Sequence, residues 1–218
     1  MEYKAVIFDM DGLLIDSEPL WQEAGRETLA SFGHTLTVAQ YHSSTGLRTE
    51  EWIEHWFHFF GISMELAPAA VNTIVAKAIE KIDQRGKLLP GAAETIQLFR
   101  EKDYRIGLAT SSPMELVEVV LPKLNTGNAF DAISSAGLLP FGKPHPLVYL
   151  NCAAELNTSP LQCIALEDSF NGLIAAKAAR MKCIVVPSPG DFQAGKWDAA
   201  DLKLSSLTEL SLQHLQQL

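Results

Sequence analysis

The sequence AVIFDMDGLLIDS, residues 5–17, is an apolar run that stops abruptly at two acids and a glycine. The run itself, residues 5–8, is typical of a buried β-strand. Because positions i and i+2 of extended backbone point to the same side, the carboxylates of Asp9 and Asp11 can face one reaction centre just beyond the strand. Gly12 lets the chain turn at this point without the steric cost of a Cβ atom.

Two carboxylates this close repel each other unless a cation lies between them or one of them holds a proton. A hard cation such as Mg²⁺ takes oxygen ligands from carboxylates and backbone carbonyls. Alternatively, one acid stays protonated and acts as a general acid. The isolated triplet from Asp9 to Asp11 also fits a polar loop after a strand, so its interpretation depends on the rest of the chain.

The composition is that of an ordinary globular protein. Of the 218 residues, 47% are hydrophobic and 20% are charged, which supplies enough apolar material to fill a core. The formal net charge is −9 and the isoelectric point is about 5.1. Nucleic-acid binders carry a basic footprint, so we expect no nucleic-acid partner. An anionic substrate would need a local positive centre against this overall field.

The three cysteines, Cys152, Cys163 and Cys183, lie in apolar patterns without C-x-x-C spacing, which predicts buried thiols rather than disulfides or a zinc site. Residues 1–4 do not resemble a signal peptide, and no uncharged apolar stretch reaches membrane-spanning length. We therefore expect a soluble cytoplasmic protein with no membrane partner. The leucine-rich tail, residues 207–218, is predicted to be a helix packed on its own domain, which favours a monomer. A dimer contact through this helix is the alternative.

The apolar spacing divides the chain into two regions. Helical patterns fill the first region, with helices predicted at residues 17–32, 49–60 and 67–81. Strand and helix patterns alternate in the second, which is typical of a parallel sheet with helices on both faces. Strands are predicted at residues 5–8, 105–109, 132–135, 163–166, 183–186 and 202–204. We predict an α/β fold, in which a Rossmann-like parallel-sheet core domain (residues 1–16 and 87–218) carries an inserted all-helical cap domain (residues 17–86).

Polar side chains follow two of the later strands. Thr110 and Ser111 come after one, and Glu167 and Asp168 end another. Because ligands of open α/β sheets bind beyond the carboxyl ends of the strands, we expect these side chains to meet. Hydroxyls and backbone amides before a helix can bind an anion. The alternative is simple helix capping, by Ser112 in the first case and by Asp168 or Ser169 in the second.

A lysine lies in a stiff loop between these two strands. Lys143 is followed by Pro144 and His145 and then by a second proline, and this loop leads into a helix. A single lysine is usually a surface residue. A lysine held beside two acid clusters can instead neutralise a phosphate group.

In order and spacing these residues resemble the four motifs of the haloacid dehalogenase (HAD) superfamily of phosphotransferases, across nearly the whole core domain. The motif positions are residues 9–12, Thr110, residues 143–144 and residues 167–169. The helical insert resembles that superfamily's cap in the β-phosphoglucomutase-like branch. Within the branch, the chain is most similar to sugar-phosphate phosphatases of the 2-deoxyglucose-6-phosphatase or hexitol phosphatase type, through residues 9–20, 88–91 and 166–172.

This resemblance implies a Mg²⁺-dependent phosphatase for small sugar or sugar-alcohol phosphates. Asp9 would attack phosphorus and form an aspartyl-phosphate, and Asp11 would protonate the leaving oxygen and then deprotonate the hydrolytic water. The ion would be held by Asp9, Asp168 and the backbone carbonyl of Asp11. Glu167 would act on the ion through a bridging water.

The resemblance also implies the substrate contacts. Thr110 and the Ser111 amide would bind phosphate oxygens next to Asp9 and Asp11, and Lys143 would balance the charge that develops on the phosphoryl group. The cap would choose the substrate. Its turn at residues 46–48 would reach over the site, where Arg48 contacts sugar hydroxyls or phosphate; the alternative for Arg48 is a solvated surface position.

Three other functions remain open from the sequence. A phosphoglucomutase would use the same aspartyl-phosphate, but relatives of that type carry a histidine where this chain has Trp21. A phosphonate-cleaving enzyme would need a Schiff-base lysine from the cap, for which Lys77 is the candidate and an exposed lysine the alternative. A non-catalytic binding module would have no need for the clustered acids.

Overall fold

Parallel strands separated by helices carry the predicted polar residues. A computed structural model describes residues 3–44 and 47–218, so the predicted turn residue Gly46 lies outside the described residues. Within these ranges the strands are β1 (Ala5–Phe8), β2 (Arg105–Thr110), β3 (Ala132–Ser135), β4 (Cys163–Glu167), β5 (Lys182–Val185) and β6 (Leu202–Lys203). The helices are α1 (Glu18–Ala30), α2 (Val38–His42), α3 (Thr49–Phe60), α4 (Ala67–Arg85), α5 (Ala92–Arg100), α6 (Met114–Lys123), α7 (Leu147–Glu155), α8 (Phe170–Ala178) and α9 (Leu212–Gln216).

The strands of the described residues form one parallel sheet in the order β3-β2-β1-β4-β5-β6. In the centre, Ala5 of β1 pairs with Arg105 of β2 on one side and with Cys163 of β4 on the other. Successive side chains of β1 enter two different apolar clusters, as Ala5 and Val6 show, and every side chain of the strand is buried. A strand covered on both faces needs a continuous apolar run. The predicted α/β class is confirmed.

The order of the strands reverses beside β1. The chain passes from β1 outward to β2 and β3 and then returns to β4 on the opposite side of β1. Such a reversal opens a crevice at the carboxyl ends of the two strands that flank it. Asp9 directly follows β1, and Glu167 is the last residue of β4. The sheet therefore places the two predicted acidic segments side by side.

Helices α1 to α4 occupy the chain between β1 and α5, where the sequence predicts the insert. We keep the name core for residues 1–16 and 87–218 and the name cap for residues 17–86. The two chain crossings between core and cap run side by side, and the Asp16 amide donates to the Lys87 carbonyl at 2.8 Å. This paired crossing is called the hinge below. Within the described part of the chain, every helix is too short or too polar to cross a bilayer.

Helix α2 is a feature that the apolar spacing did not predict. It has five residues, too few to show a helical period. Its start is instead encoded in a capping box, in which Thr37 Oγ1 accepts from the Gln40 amide and the Gln40 side chain accepts from the Thr37 amide. This helix turns the chain back over the carboxyl end of the sheet.

The prediction of one continuous helix over residues 207–218 is wrong. The tail consists of a 3₁₀ turn, Leu207–Glu209, and the short helix α9, with Leu210 extended between them. Leu207, Leu210 and Leu215 are all buried in the main apolar cluster. The chain reaches these buried positions through two short helical segments rather than through one helix. The tail packs on its own domain, as the sequence predicts.

The contact between this tail and the loop before α5 can be tested with two glycines. Gly91 and Gly33 both have left-handed backbone, with φ of 86° and 80°. A Cβ atom at Gly91 would lie 2.6 Å from the Thr208 amide nitrogen, whereas one at Gly33 meets nothing within 4 Å. We expect Gly33→Ala to cost about 1–2 kcal/mol of stability from backbone strain alone. Gly91→Ala should cost about 1–3 kcal/mol more from overlap. Urea unfolding measures both, and equal losses would contradict the described packing of the tail.

Candidate active site

The predicted core residues come together in one cavity at the carboxyl end of the sheet, between core and cap. The core residues that line it are Asp9, Asp11, Thr110, Ser111, Ser112, Lys143, Asp168 and Ser169. Glu167 lies beneath them and is fully buried. The sequence therefore identified most of the core wall, because each of these residues directly follows a strand or stands in the loop before a helix.

Lys143 is the buried cation of the site. Its side chain is 2% exposed, and Nζ lies 2.5 Å from Asp9 Oδ1, 2.6 Å from Glu167 Oε1 and 2.9 Å from the Ala109 carbonyl oxygen. An ammonium group has three donors, and these three acceptors use all of them. Burial lowers the pKa of Lys143, but attraction by Asp9 and Glu167 outweighs burial and raises it above its ordinary value. The lysine is charged, and the alternative of a surface lysine is excluded.

Glu167 is held rigidly by neighbouring donors. Its Oε1 accepts from Lys143 and from the Tyr149 hydroxyl, the latter at 2.5 Å, and its Oε2 accepts from the Ser169 hydroxyl at 3.1 Å. A Cβ atom at Gly172 would lie 1.9 Å from this carboxyl group, so only glycine fits there. Tyr149 was missed in the sequence because it lies in the middle of α7, where an aromatic residue is usually only core.

Asp9, Glu167 and Asp168 form an acidic cluster. Each offers a carboxylate oxygen, and these oxygens lie within 4.8 Å of one another. Burial raises the pKa of Asp9 despite the opposing charge of Lys143, and burial together with the charge of Asp9 raises the pKa of Asp168. Among these four groups one positive charge faces three carboxylates. A divalent cation fits this oxygen-only donor set and would cancel the excess.

The turn after β1 brings Asp168 close to the main chain. Gly12 has φ of 72°, and a Cβ atom there would lie 2.1 Å from Asp168 Oδ2. Two requirements, the left-handed backbone and the close approach, thus favour glycine at this position. The Asp168 carboxylate therefore lies against the loop that follows Asp9 and Asp11.

Asp11 accepts its hydrogen bonds from residues outside the acidic cluster. Its Oδ1 accepts from the Ser17 hydroxyl at 2.6 Å and from the Trp21 indole at 3.0 Å, and its Oδ2 accepts from the Ser112 hydroxyl at 2.7 Å. Helix capping was the alternative considered for Ser112. Ser17 precedes α1 without a capping bond, and Pro113 occupies the capping position of α6. Both hydroxyls are instead used to orient Asp11.

Two side-chain hydroxyl groups hold the turn after β2 through hydrogen bonds to its main chain. The Thr110 hydroxyl accepts from the Ser112 amide at 3.0 Å, and the Ser135 hydroxyl donates to the Ser112 carbonyl at 2.6 Å. Thr110 is fully buried at the floor, while Ser111 lines the cavity above it. At the end of β4 the capping alternative is correct, because Ser169 Oγ accepts from the Gly172 amide and begins α8.

The cap supplies the opposite wall of the cavity. Its lining residues are Glu18, Trp21, Tyr41, Ser44, Leu47, Thr49, Trp52 and Ile74. Except for Trp21, the sequence did not assign them to the site. Two pairs, Glu18 with Trp21 and Thr49 with Trp52, are three residues apart on one helix, which places each pair on one face. That spacing was visible in the sequence, but nothing in the sequence showed which face meets the core.

Arg48 does not line this wall. Its guanidinium donates to the Leu139 carbonyl at 2.7 Å and pairs with Glu51 at 2.8 Å, and its side chain is 15% exposed. A Cβ atom at Gly142 would lie 2.6 Å from the Arg48 side chain. Arg48 therefore joins the cap to the loop before Lys143 rather than lying in solvent. Its predicted contact with substrate stays a prediction.

The comparisons with known proteins agree with this geometry. A family model described as haloacid dehalogenase-like hydrolase matches residues 3–180. Hexitol phosphatase B of Escherichia coli K12 is 45% identical over 212 residues, which cover 97% of this chain and 96% of that protein. A putative phosphatase of Bacillus subtilis, YhcW, is 31% identical over 215 residues, covering 96% and 94%.

Solved structures give the same result. A β-phosphoglucomutase from Clostridium difficile superposes with a TM-score of 0.88 at 25% identity, covering 99% of this chain and 96% of that one. CbbY from Rhodobacter sphaeroides in complex with phosphate superposes with a TM-score of 0.85 at 27% identity, covering 98% and 99%. The matched family region contains every core residue that lines the cavity, and the relatives match nearly from end to end. The chain therefore belongs to the haloacid dehalogenase-like hydrolase family and is an enzyme.

Proposed function

We propose that the protein is a Mg²⁺-dependent phosphatase that hydrolyses small sugar or sugar-alcohol phosphates through an aspartyl-phosphate. The observation that carries the proposal is the position of Asp9. It belongs to the acidic cluster, contacts the buried ammonium group of Lys143, and lines the cavity that the cap covers. The hexitol phosphatase of Escherichia coli, 45% identical over nearly the whole chain, supports the substrate class.

Asp9 is the proposed nucleophile. Lys143 donates to Asp9 Oδ1 at 2.5 Å, so we assign the attack on phosphorus to the other carboxylate oxygen, Oδ2. The bond from phosphorus to the sugar oxygen breaks as the bond to Oδ2 forms, and water later cleaves the aspartyl-phosphate. The charge of Lys143 lowers the pKa of Asp9 against the larger effect of burial, and its hydrogen bond orients the carboxylate for attack.

Asp11 is the proposed acid and base. It would protonate the leaving sugar oxygen in the first step and take a proton from water in the second. Its carboxylate is held by two groups of the hinge region, Ser17 and Trp21, and by Ser112 of the core. A movement of the cap relative to the core would therefore rotate Asp11, which links its position to closure over the substrate.

The remaining core residues bind charge. Thr110 and Ser111 would contact the phosphate oxygens, and the charge of Lys143 would balance the charge that develops on the phosphoryl group. The metal would be held by Asp9, Asp168 and the main-chain carbonyl of Asp11, with Glu167 acting through a water because its oxygens already accept from protein donors. When bound, Mg²⁺ neutralises charge so that a carboxylate and a phosphate can approach each other.

Trp21 favours hydrolysis over the mutase alternative. The indole donates to Asp11 at 3.0 Å, and an indole nitrogen is a donor only. It cannot take up a proton, so the acid–base control that a histidine provides in mutase-type relatives is absent at this position. The phosphonate-cleaving alternative is disfavoured, because its candidate Schiff-base lysine is not in the site. Lys77 pairs with Glu27 at 2.8 Å and is not among the described residues that line the cavity.

The reaction itself is tested by phosphate release. We expect release from hexose 6-phosphates and hexitol phosphates in the presence of Mg²⁺ and almost none after EDTA treatment, because three carboxylates face one lysine without the ion. Isomerisation of hexose 1-phosphates is followed in the same reactions. Isomerisation without net release would establish the mutase alternative instead.

The roles of the two aspartates are tested by isosteric variants. Asp9→Asn should lower kcat by about 10³-fold or more, since no other carboxylate can form the intermediate. Asp11→Asn should lower it by about 10²–10⁴-fold. The control is Asp16→Asn, which removes an exposed carboxylate of the same segment and should leave kcat near the wild-type value. Wild-type turnover in either of the first two variants would refute the assigned role.

Metal binding has a readout that does not depend on turnover. Saturating Mg²⁺ should stabilise the folded protein, by about 2.7 kcal/mol at a concentration of 100 Kd, which thermal unfolding detects. Asp168→Asn should lose this stabilisation. Without metal the same variant should be at least as stable as the wild type, because burial and the charge of Asp9 disfavour an ionised Asp168. An unchanged Mg²⁺ response would remove Asp168 as a ligand; Asp16→Asn is again the control.

A further inference from the structure

One acidic side chain of the cavity has no role in the chemistry proposed above. Glu18 is the first residue of α1 and lines the cavity on the cap side. It makes no hydrogen bond or ion pair with the residues that the structure describes. Burial raises its pKa to about 7, and the negative charges of Asp11 and Asp16 act in the same direction. A half-buried carboxylate without a partner among the described residues is free to accept hydrogen bonds from a ligand.

The wall beside Glu18 is aromatic. Tyr41 and Trp52 are 8% and 7% exposed, line the same cavity, and have ring centroids 6.2 Å apart. Glu18 lines the same cavity as Tyr41, and its charge adds to burial in raising the pKa of Tyr41. A carboxylate next to aromatic rings offers acceptors on one side and an apolar surface on the other. A polyol chain has the matching character, with hydroxyl donors along a C–H backbone.

The charges of the cavity exclude a second anionic group on the substrate. Lys143 is the one lysine or arginine among its lining residues in the described chain, and Asp9 and Glu167 already occupy it. Glu18 adds a negative charge on the side where the remainder of the substrate must lie. A carboxylate or a second phosphate there would meet repulsion without a compensating cation.

We propose that Glu18 selects the substrate by accepting hydrogen bonds from the hydroxyl groups of a neutral polyol tail, whose terminal phosphate lies on Asp9. This inference rests on the proposed phosphatase activity and names the specificity residue of the same site. An ionised carboxylate offers about four lone-pair positions and no donor, so it suits adjacent hydroxyls. Glu18 would thereby favour monophosphates of sugars and sugar alcohols over bisphosphates and phosphorylated acids.

The test compares substrates with and without hydroxyls in Glu18→Ala. Loss of a hydrogen bond to a charged group should lower kcat/KM for a hexitol phosphate by about 10- to 100-fold, mainly through KM. For p-nitrophenyl phosphate, which has no hydroxyl tail, kcat/KM should stay near the wild-type value. The control is Glu23→Ala, which removes a carboxylate of the same helix that pairs with Lys81 outside the cavity. It should leave both substrates unaffected.

Glu18→Gln keeps the size of the side chain and removes its charge. We expect a smaller loss on the hexitol phosphate and a rise in relative activity on fructose 1,6-bisphosphate, because the repulsion is gone. This variant also decides the matter if Glu18→Ala does not fold. An equal loss on hexitol phosphate and p-nitrophenyl phosphate would overturn the proposal by placing Glu18 in the chemistry, and no loss on either would overturn it directly. Absence of phosphate release by the wild-type protein would refute the proposed function itself and is observed before any variant is made.

Discussion

The contact of Lys143 with Asp9 and Glu167 is the interaction on which the site depends. It joins the ends of β1 and β4 to the loop before α7, and its third bond, to the Ala109 carbonyl, adds β2. Removing a partner from a buried ion pair costs about 3–5 kcal/mol because the remaining charge is left uncompensated. The lysine cannot compensate all the acids of the cluster, however. The residual negative charge of the cluster is what the proposed cation would offset.

A second constraint separates the two aspartates of the first motif. Asp9 lies among charged groups, whereas Asp11 is surrounded by two hydroxyls and an indole. Neighbouring carboxylates can perform different tasks only when their environments differ in this way. Ser17 and Trp21 donate to Asp11 from the cap side of the hinge, and Ser112 donates from the core side. The orientation of Asp11 therefore depends on the position of the cap. Chemistry in the core and access to the cavity are thereby connected through one side chain.

The sequence predicted the core more completely than the cap, and the reason is physical. β1 was predicted with its observed bounds because a central parallel strand must be apolar throughout, and Asp9 and Lys143 stand at positions that the order of strands and loops defines. Capping was considered for Ser112 because a local pattern contains no information about a partner a hundred residues away. Glu18 was missed, and the contacts of Arg48 with Glu51 and the Leu139 carbonyl were not predicted, for the same reason: which face of a cap helix meets the core is decided by tertiary packing. The break at Leu210 was likewise not visible in the apolar spacing, which also suits a continuous helix.

The first turn of α1 brings these constraints to one place. Within five residues it contains a hydroxyl and an indole that orient Asp11 and, between them, a carboxylate that faces the cavity without a protein partner. Helical geometry makes this possible, since residues three apart share a face while the residue that precedes the helix can turn back toward the core. A substrate that supplies donors to Glu18 would therefore be bonded to the same turn that holds Asp11. Recognition of the hydroxyl tail and placement of the acid would then depend on neighbouring residues of one element.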